Sequence, residues 1–282
     1  MSVVAFGSVR SCGVTTLVAG LAATWPTQRR VLLVEADPAG GTLAAASGWP
    51  AEPSSVSLAA AARRGGDPAL VWEHCQALPG GASVLAAPAQ GEQARATAGM
   101  LAPLLGRFGE VDGDVLIDCG RLDPASPALV VWERADTAVL VARPRLADLQ
   151  ALAAWLEGRP LNRQVALVTV GDGGYPDGEI TEALGVEVVA RLPWDADAAE
   201  ALISVPASAR QLRMAPLVRS VRTLADQLAQ HHVVAVPAAE RRPSVEAGRG
   251  GRAVAVGSRV LRAWWTDTRP HPNGSVPGEA GR

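Results

Sequence analysis

The chain has 282 residues, 48% of them apolar, and its 26 basic residues nearly balance 28 acidic ones. That length and apolar content suffice for one large α/β domain or two small ones, and the near balance excludes bulk charge as a drive toward nucleic acid. Three widely separated cysteines, Cys12, Cys75 and Cys119, lack metal-ligand spacing and are odd in number, against a disulfide framework. With no signal-peptide pattern and no uncharged apolar run of about 18 residues, the expectation is a cytoplasmic chain that does not span a membrane.

In chain order, Ser2–Phe6 reads as a short buried strand, after which Val14, Leu17, Val18, Leu21, Ala22 and Trp25 recur at helical spacing until Pro26. The connection between them, Phe6-Gly-Ser-Val-Arg-Ser-Cys-Gly-Val-Thr-Thr16, has the outline of a phosphate-binding loop. In such a loop glycines let backbone N–H groups turn toward a phosphate, a lysine reaches the terminal phosphates, and Ser or Thr ligates Mg²⁺. Aligned on Gly13, the pattern puts Ser8 at the first glycine, Val14 at the lysine and Thr15 at the hydroxyl. The chain contains no lysine at all. Taken alone, the stretch also fits an ordinary strand-to-helix turn with Gly13 relieving a crowded backbone.

Val31–Val34 is a second apolar run, leading into Glu35-Ala-Asp37-Pro-Ala-Gly-Gly-Thr42. Acids at the carboxyl end of a strand lie where open parallel sheets bind ligands, although a plain turn has the same composition. Residues 43–80 are alanine-rich and helical in character, broken by Gly and Pro; Ser83–Ala87 is a strand and Gln90–Arg107 a helix. Asp114-Val-Leu-Ile-Asp-Cys-Gly120 then reads as a buried strand ending in Asp118, the form in which a Walker B element holds Mg²⁺. Strand Ala138–Ala142, helix Leu146–Leu156, strand Val165–Val170, a helix near Gly178–Leu184, strand Val186–Leu192 and two further helical stretches follow, the last from about Ala207 to Gln230. Seven strands alternating with helices predict one α/β domain over residues 1–232, a doubly wound and mostly parallel sheet.

After His232 the composition changes. Residues 233–252 read as a Pro-, Gly- and Arg-rich linker and 266–282 as a disordered tail, while Ala253–Trp265 has the pattern of a basic amphipathic helix with Trp264 and Trp265 on its apolar arc. Such a helix suits a membrane surface, a docking site on a partner, or its own domain. DNA contact ranks lowest, since no groove-reading residues are interleaved with the arginines. His74 and Cys75 read as packing residues; Cys12 reads as a small residue tolerated in the loop, with a redox-sensitive thiol as the alternative.

Together these motifs resemble the MinD/ParA family of P-loop ATPases, with their deviant Walker A loop K-G-G-x-G-K-[ST]-[ST]. Val9-Arg-Ser-Cys-Gly-Val-Thr-Thr16 stands in the place of that loop, Glu35-Ala-Asp37-Pro38 is similar to the D-x-D-P segment, Val115-Leu-Ile-Asp118 to the Walker B strand, and Leu192-Pro-Trp-Asp195 to the late I-P-Y-D turn. The resemblance implies a cofactor-binding set of Ser8, Arg10, Ser11, Cys12, Gly13, Val14, Thr15 and Thr16. It also implies Mg²⁺ ligation by Thr15, Asp37 and Asp118, with Asp37 and Asp118 the catalytic acids of any ATP hydrolysis. Homodimerisation and a protein partner in a septum-site, partition, secretion or pilus machine are implied with them. Both loop lysines are replaced, by Val9 and Val14, and no asparagine follows Thr169 where the family tends to carry one for the adenine ring. A valine neither positions nor neutralises a phosphate. The expected function is therefore a pseudo-ATPase that binds ATP and Mg²⁺ weakly or not at all and acts in localisation or scaffolding. An active Mg-ATPase using Arg10 as the missing charge is the alternative. The lysine-free, alanine- and arginine-rich composition is that of a high-GC bacterium.

Overall fold

The structure, a computed structural model, describes residues 2–26, 30–64, 68–78, 81–108, 112–157, 159, 165–204 and 214–230. Eight strands form one sheet in the order β3-β4-β2-β5-β1-β6-β7-β8. The strands are β1 (Val3–Ser8), β2 (Arg30–Glu35), β3 (Gln76–Ala77), β4 (Ser83–Leu85), β5 (Gly113–Arg121), β6 (Thr137–Ala142), β7 (Val165–Val170) and β8 (Glu187–Leu192). All seven expected strands are present, and every pairing among them is parallel. The addition is the two-residue β3, antiparallel to β4 at the edge. It is too short to show a period of two in the sequence.

The strands bury both faces, which is why they read as near-continuous apolar runs. Along β1, Val3 and Ala5 join one core with Leu32, Val34, Val115, Ile117 and Leu140. Val4 and Phe6 join the other with Leu33, Leu116, Val139 and Val168. The first core is covered by α3 (Ser55–Arg63), α4 (Gly91–Phe108), α5 (Pro127–Arg134), α6 (Leu146–Leu156) and α7 (Asp177–Leu184). The second is covered by α1 (Val14–Thr24), α8 (Ala196–Ile203) and α9 (Pro216–Ala229), with the single turn α2 (Leu43–Ala46) at its margin.

Sequence reading passed over α5, whose signals are Pro127 in the first turn and the periodic Ala128, Leu129, Val131 and Trp132, all buried. Of the expected helix from Ala207 to Gln230, residues 216–229 are helical and 205–213 lie outside the described residues. The stretch 43–80 divides into α2, α3 and a 3₁₀ helix at Pro68–His74. Ala253–Trp265, the linker and the tail also lie outside the described residues. Among the described residues no helix is long and apolar enough to cross a membrane.

The order of the sheet decides where a ligand can sit. From β1 the chain passes to β2 on one side, and later to β6 on the other, so β1 lies at the switch point whose crevice opens at the strand's carboxyl end. The connection leaving that end is the glycine-containing loop.

Candidate nucleotide site

β1 ends at Ser8, and α1 begins at Val14 with Gly13 as its N-cap. Gly13 has φ 93 and ψ 35, a left-handed conformation that L side chains rarely adopt. No side chain caps the helix, so its positive end is open to an anion or to water. Ser8 is buried, and its hydroxyl donates weakly to the carbonyl of Gly120 at 3.4 Å. Ser11 and Gly13 are exposed, and Thr15 and Thr16 are half-buried at the start of the helix.

The position aligned with the lysine has turned inward. Val14 is 5% exposed and packs in the core beneath α1. Cys12 is buried too, its thiol donating to the carbonyl of Val141 at 3.1 Å. Burial pushes that thiol up to about 11, against a hydrogen bond from Ser8 and the nearby Arg143 charge. A buried, protonated thiol is inert, so the loop holds Cys12 as a packing residue. Arg10 points outward, 61% exposed, with Nε 3.8 Å from Asp148 Oδ1.

On the β5 side the acidic residues converge. Asp118 is 1% exposed at the end of the strand. One oxygen accepts the Gly120 N–H at 2.9 Å, and the Thr15 hydroxyl lies near enough to the carboxyl to favour its charged form. Burial pushes Asp118 up to about 7, those two groups pull it down, and the Glu35 and Asp37 charges raise it further. Asp37 follows β2, accepts the Ala39 N–H at 2.8 Å, and is raised by burial against that bond and the Arg121 charge. Its carboxylate lies directly against Gly120, where any Cβ would collide with it. Thr15, Asp118 and Asp37 are thus brought to one side of the loop.

Glu35, to which sequence reading assigned no role, organises this side. It is 2% exposed, and its carboxylate accepts the backbone N–H groups of Thr42 at 2.9 Å, Leu43 at 3.1 Å and Ala87 at 3.1 Å. It ties the Asp37 segment to the end of β4. Burial raises its carboxyl, and the three N–H groups oppose the rise. The available signal was an acid at the end of a buried strand beside a Gly-Gly pair, in a register that places Glu35 opposite Asp118.

On the β6 side a cavity of about 120 Å³ opens between the loop and the ends of β7 and β8. Gly13, Thr16, Arg143, Val170, Trp194 and Asp195 are among the residues lining it. The expected Leu192-Pro-Trp-Asp195 turn lies here, and Asp195 caps α8 by accepting the Ala198 N–H at 3.0 Å. Arg143 follows β6 and lies over the Trp194 ring at 4.9 Å. No local sequence signal marks it, because it lies some 130 residues after the loop in the chain.

These features together give a βα loop at the switch point, a glycine-capped helix terminus, and an acidic strand end facing the helix's first hydroxyl. This is the ParA/MinD fold. Solved structures of similar fold include a ParA family ATPase from Chlorobium tepidum TLS, at 20% identity and a TM-score of 0.65 over 80% of this chain and 98% of that one. The septum site-determining protein MinD of Pyrococcus horikoshii OT3, complexed with Mg-ADP, aligns at 17% identity and a TM-score of 0.66 over 82% and 97%. Cobyrinic acid a,c-diamide synthase of Mycobacterium smegmatis, with a bound ATP analog and magnesium, aligns at 17% and 0.54 over 82% and 95%. No protein-family model matches the chain, and no curated protein matches it in sequence. The fold therefore accommodates both positioning ATPases and a biosynthetic enzyme, and fold alone does not choose between them.

The residues present fit the two components of Mg-ATP unequally. Among the described residues no three His, Cys, Asp or Glu side chains are disposed to hold a metal. What the ParA/MinD-like site offers is the Thr15 hydroxyl and the Asp118 and Asp37 carboxylates, hard oxygen donors on one side only. That is what Mg²⁺ uses when phosphates and water complete its shell. The phosphate side keeps the glycine cap and the helix terminus but has an apolar side chain at position 14.

Proposed function

We propose that this protein is a ParA/MinD-like nucleotide-site protein that works as a localisation or scaffold factor with little or no ATP hydrolysis. The observation that carries this reading is Val14, 5% exposed and packed in the core where a phosphate loop presents its lysine, while Thr15, Asp37 and Asp118 stay together at the loop's edge. A charge-assisted hydrogen bond contributes roughly 1.5–3 kcal/mol, so its loss weakens nucleotide binding by about 10- to 100-fold. Turnover loses more than binding, because the interaction strengthens as charge develops on the transferred group. When bound, Mg²⁺ would neutralise phosphate charge; Thr15, Asp118 and Asp37 would hold it, and Glu35 would keep the Asp37 segment in place. Arg10, directed at Asp148, lends no support to an active site built on its charge.

The test is ATP turnover of the purified protein beside Val14→Lys and Asp118→Ala. Negligible turnover by wild type, with turnover gained on Val14→Lys, is the expected result. Wild-type turnover equal to that of Val14→Lys and abolished by Asp118→Ala would sink the pseudo-enzyme reading. We infer further that the protein acts as a homodimer serving a positioning or secretion machine, on the strength of the resemblance.

A further inference from the structure

The loop lacks its lysine and its Arg10 is directed at Asp148, yet the cavity beside it contains another cation. Arg143 lies on the turn between β6 and α6, and that turn is held from two sides. The Arg145 N–H donates to the Arg143 carbonyl at 2.8 Å. Gly173, in the loop after β7, packs so closely on the Pro144 carbonyl that no Cβ fits there. The guanidinium is thus presented from a fixed backbone, lying over Trp194 and lining the same cavity as Gly13 and Thr16 at the start of α1. Its charge is felt at Cys12, inside the loop.

Three other arginines in the described residues have carboxylate partners: Arg10 with Asp148, Arg159 with Glu133 and Arg191 with Asp177. Arg143 forms no ion pair among the described residues, and its Nε is buried without a hydrogen-bond acceptor. Arg143 as a whole is half-buried, but a buried N–H such as its Nε–H is costly without an acceptor, and a guanidinium matches phosphate oxygens with two parallel N–H groups. The N-terminus of α1 next to it, which no side chain caps, has the same polarity. Both lack an anion.

We propose that Arg143, reaching in from the β6 turn, takes over the phosphate-binding charge that the loop has lost, and contacts the phosphate chain of a nucleotide seated on the N-terminus of α1. The inference rests on the nucleotide-site reading above and names the residue that would carry it. It also explains how the loop can do without lysine: Val14 fills core space, and the charge arrives from a neighbouring strand end. An arginine there binds the ground-state phosphate but is not carried by the loop, consistent with binding that outlasts hydrolysis.

Calorimetry of the full chain with Mg-ATP, Mg-tripolyphosphate and adenosine separates phosphate from base recognition. Arg143→Ala is expected to lose about 10- to 100-fold in affinity for ATP and for tripolyphosphate alike, with adenosine binding and the thermal midpoint unchanged. Arg143→Lys should recover part of the loss, which a packing role would not predict. Unchanged tripolyphosphate affinity in Arg143→Ala, tighter ATP binding in that variant, or a loss confined to Arg10→Ala would each overturn the proposal while leaving the nucleotide site standing. A wild-type protein that binds neither ATP nor tripolyphosphate overturns the nucleotide site itself, and this role with it.

Discussion

Asp118 shows how one buried group records the state of the site. A carboxyl in an unfolded chain titrates near 3.9, whereas burial holds this one up to about 7. Between roughly pH 4 and 7 the folded state keeps a proton that the unfolded state has released, so stability falls as pH rises through that window. Three units correspond to roughly 4 kcal/mol, fully lost above the folded value. Asp118→Asn removes the charge and leaves Gly120 its acceptor. In metal-free buffer its thermal midpoint should match wild type near pH 4 and exceed it by a growing margin up to pH 8; a difference independent of pH would refute the assignment. Gly120 is constrained twice over, by φ +58 and by the Asp37 carboxylate lying where a Cβ would be. Gly120→Ala should cost roughly 2–4 kcal/mol in urea unfolding, from left-handed strain plus displacement of Asp37. A cost under about 0.5 kcal/mol would mean that Asp37 is not held there.

At the scale of elements, the carrier of the loop is α1, and its position depends on a glycine. Gly20 sits in mid-helix, where it costs about 1 kcal/mol relative to alanine. Its reason is tertiary: a Cβ there would stand 3.1 Å from a methyl of Leu202 on α8 and 3.2 Å from one of Val221 on α9. Alanine gains helix propensity against slight crowding of two flexible side chains, so Gly20→Ala should change stability by less than about 1 kcal/mol. Gly20→Val cannot be absorbed in the same way and should destabilise by about 1–3 kcal/mol. Equal midpoints in denaturant for the two variants would show that α8 and α9 do not press on α1 at this point.

For the whole molecule, the described residues of the two cores run from Val3 to Leu228. We propose that Ala253–Trp265, outside the described residues, is a peripheral membrane or docking segment. If the segment docks elsewhere than on this domain, a chain ending at His232 should keep the thermal midpoint of the full chain within about 2 °C. Full-length protein should sediment with anionic vesicles while the shorter chain stays in the supernatant. Equal sedimentation of both would remove the membrane role.

The sequence by itself determined the alternation of seven apolar runs with helical periods, and hence a doubly wound sheet. It also determined the order of the four motifs, because a strand buried on both faces writes itself as a continuous apolar run and each motif follows such a run. It left α5 unread, since the eight residues behind Ser126 give barely two turns of period, and β3, which is two residues long. Only the tertiary structure decided that Glu35 acts through Thr42, Leu43 and Ala87, and that Arg10 pairs with Asp148. It also decided that the cation beside the loop is Arg143, some 130 residues away from Gly13 in the chain. The physical reason is the order of the sheet. Placing β6 beside β1 brings the ends of distant strands together at the switch point, and a local window of sequence contains no trace of which distant charge will face the loop.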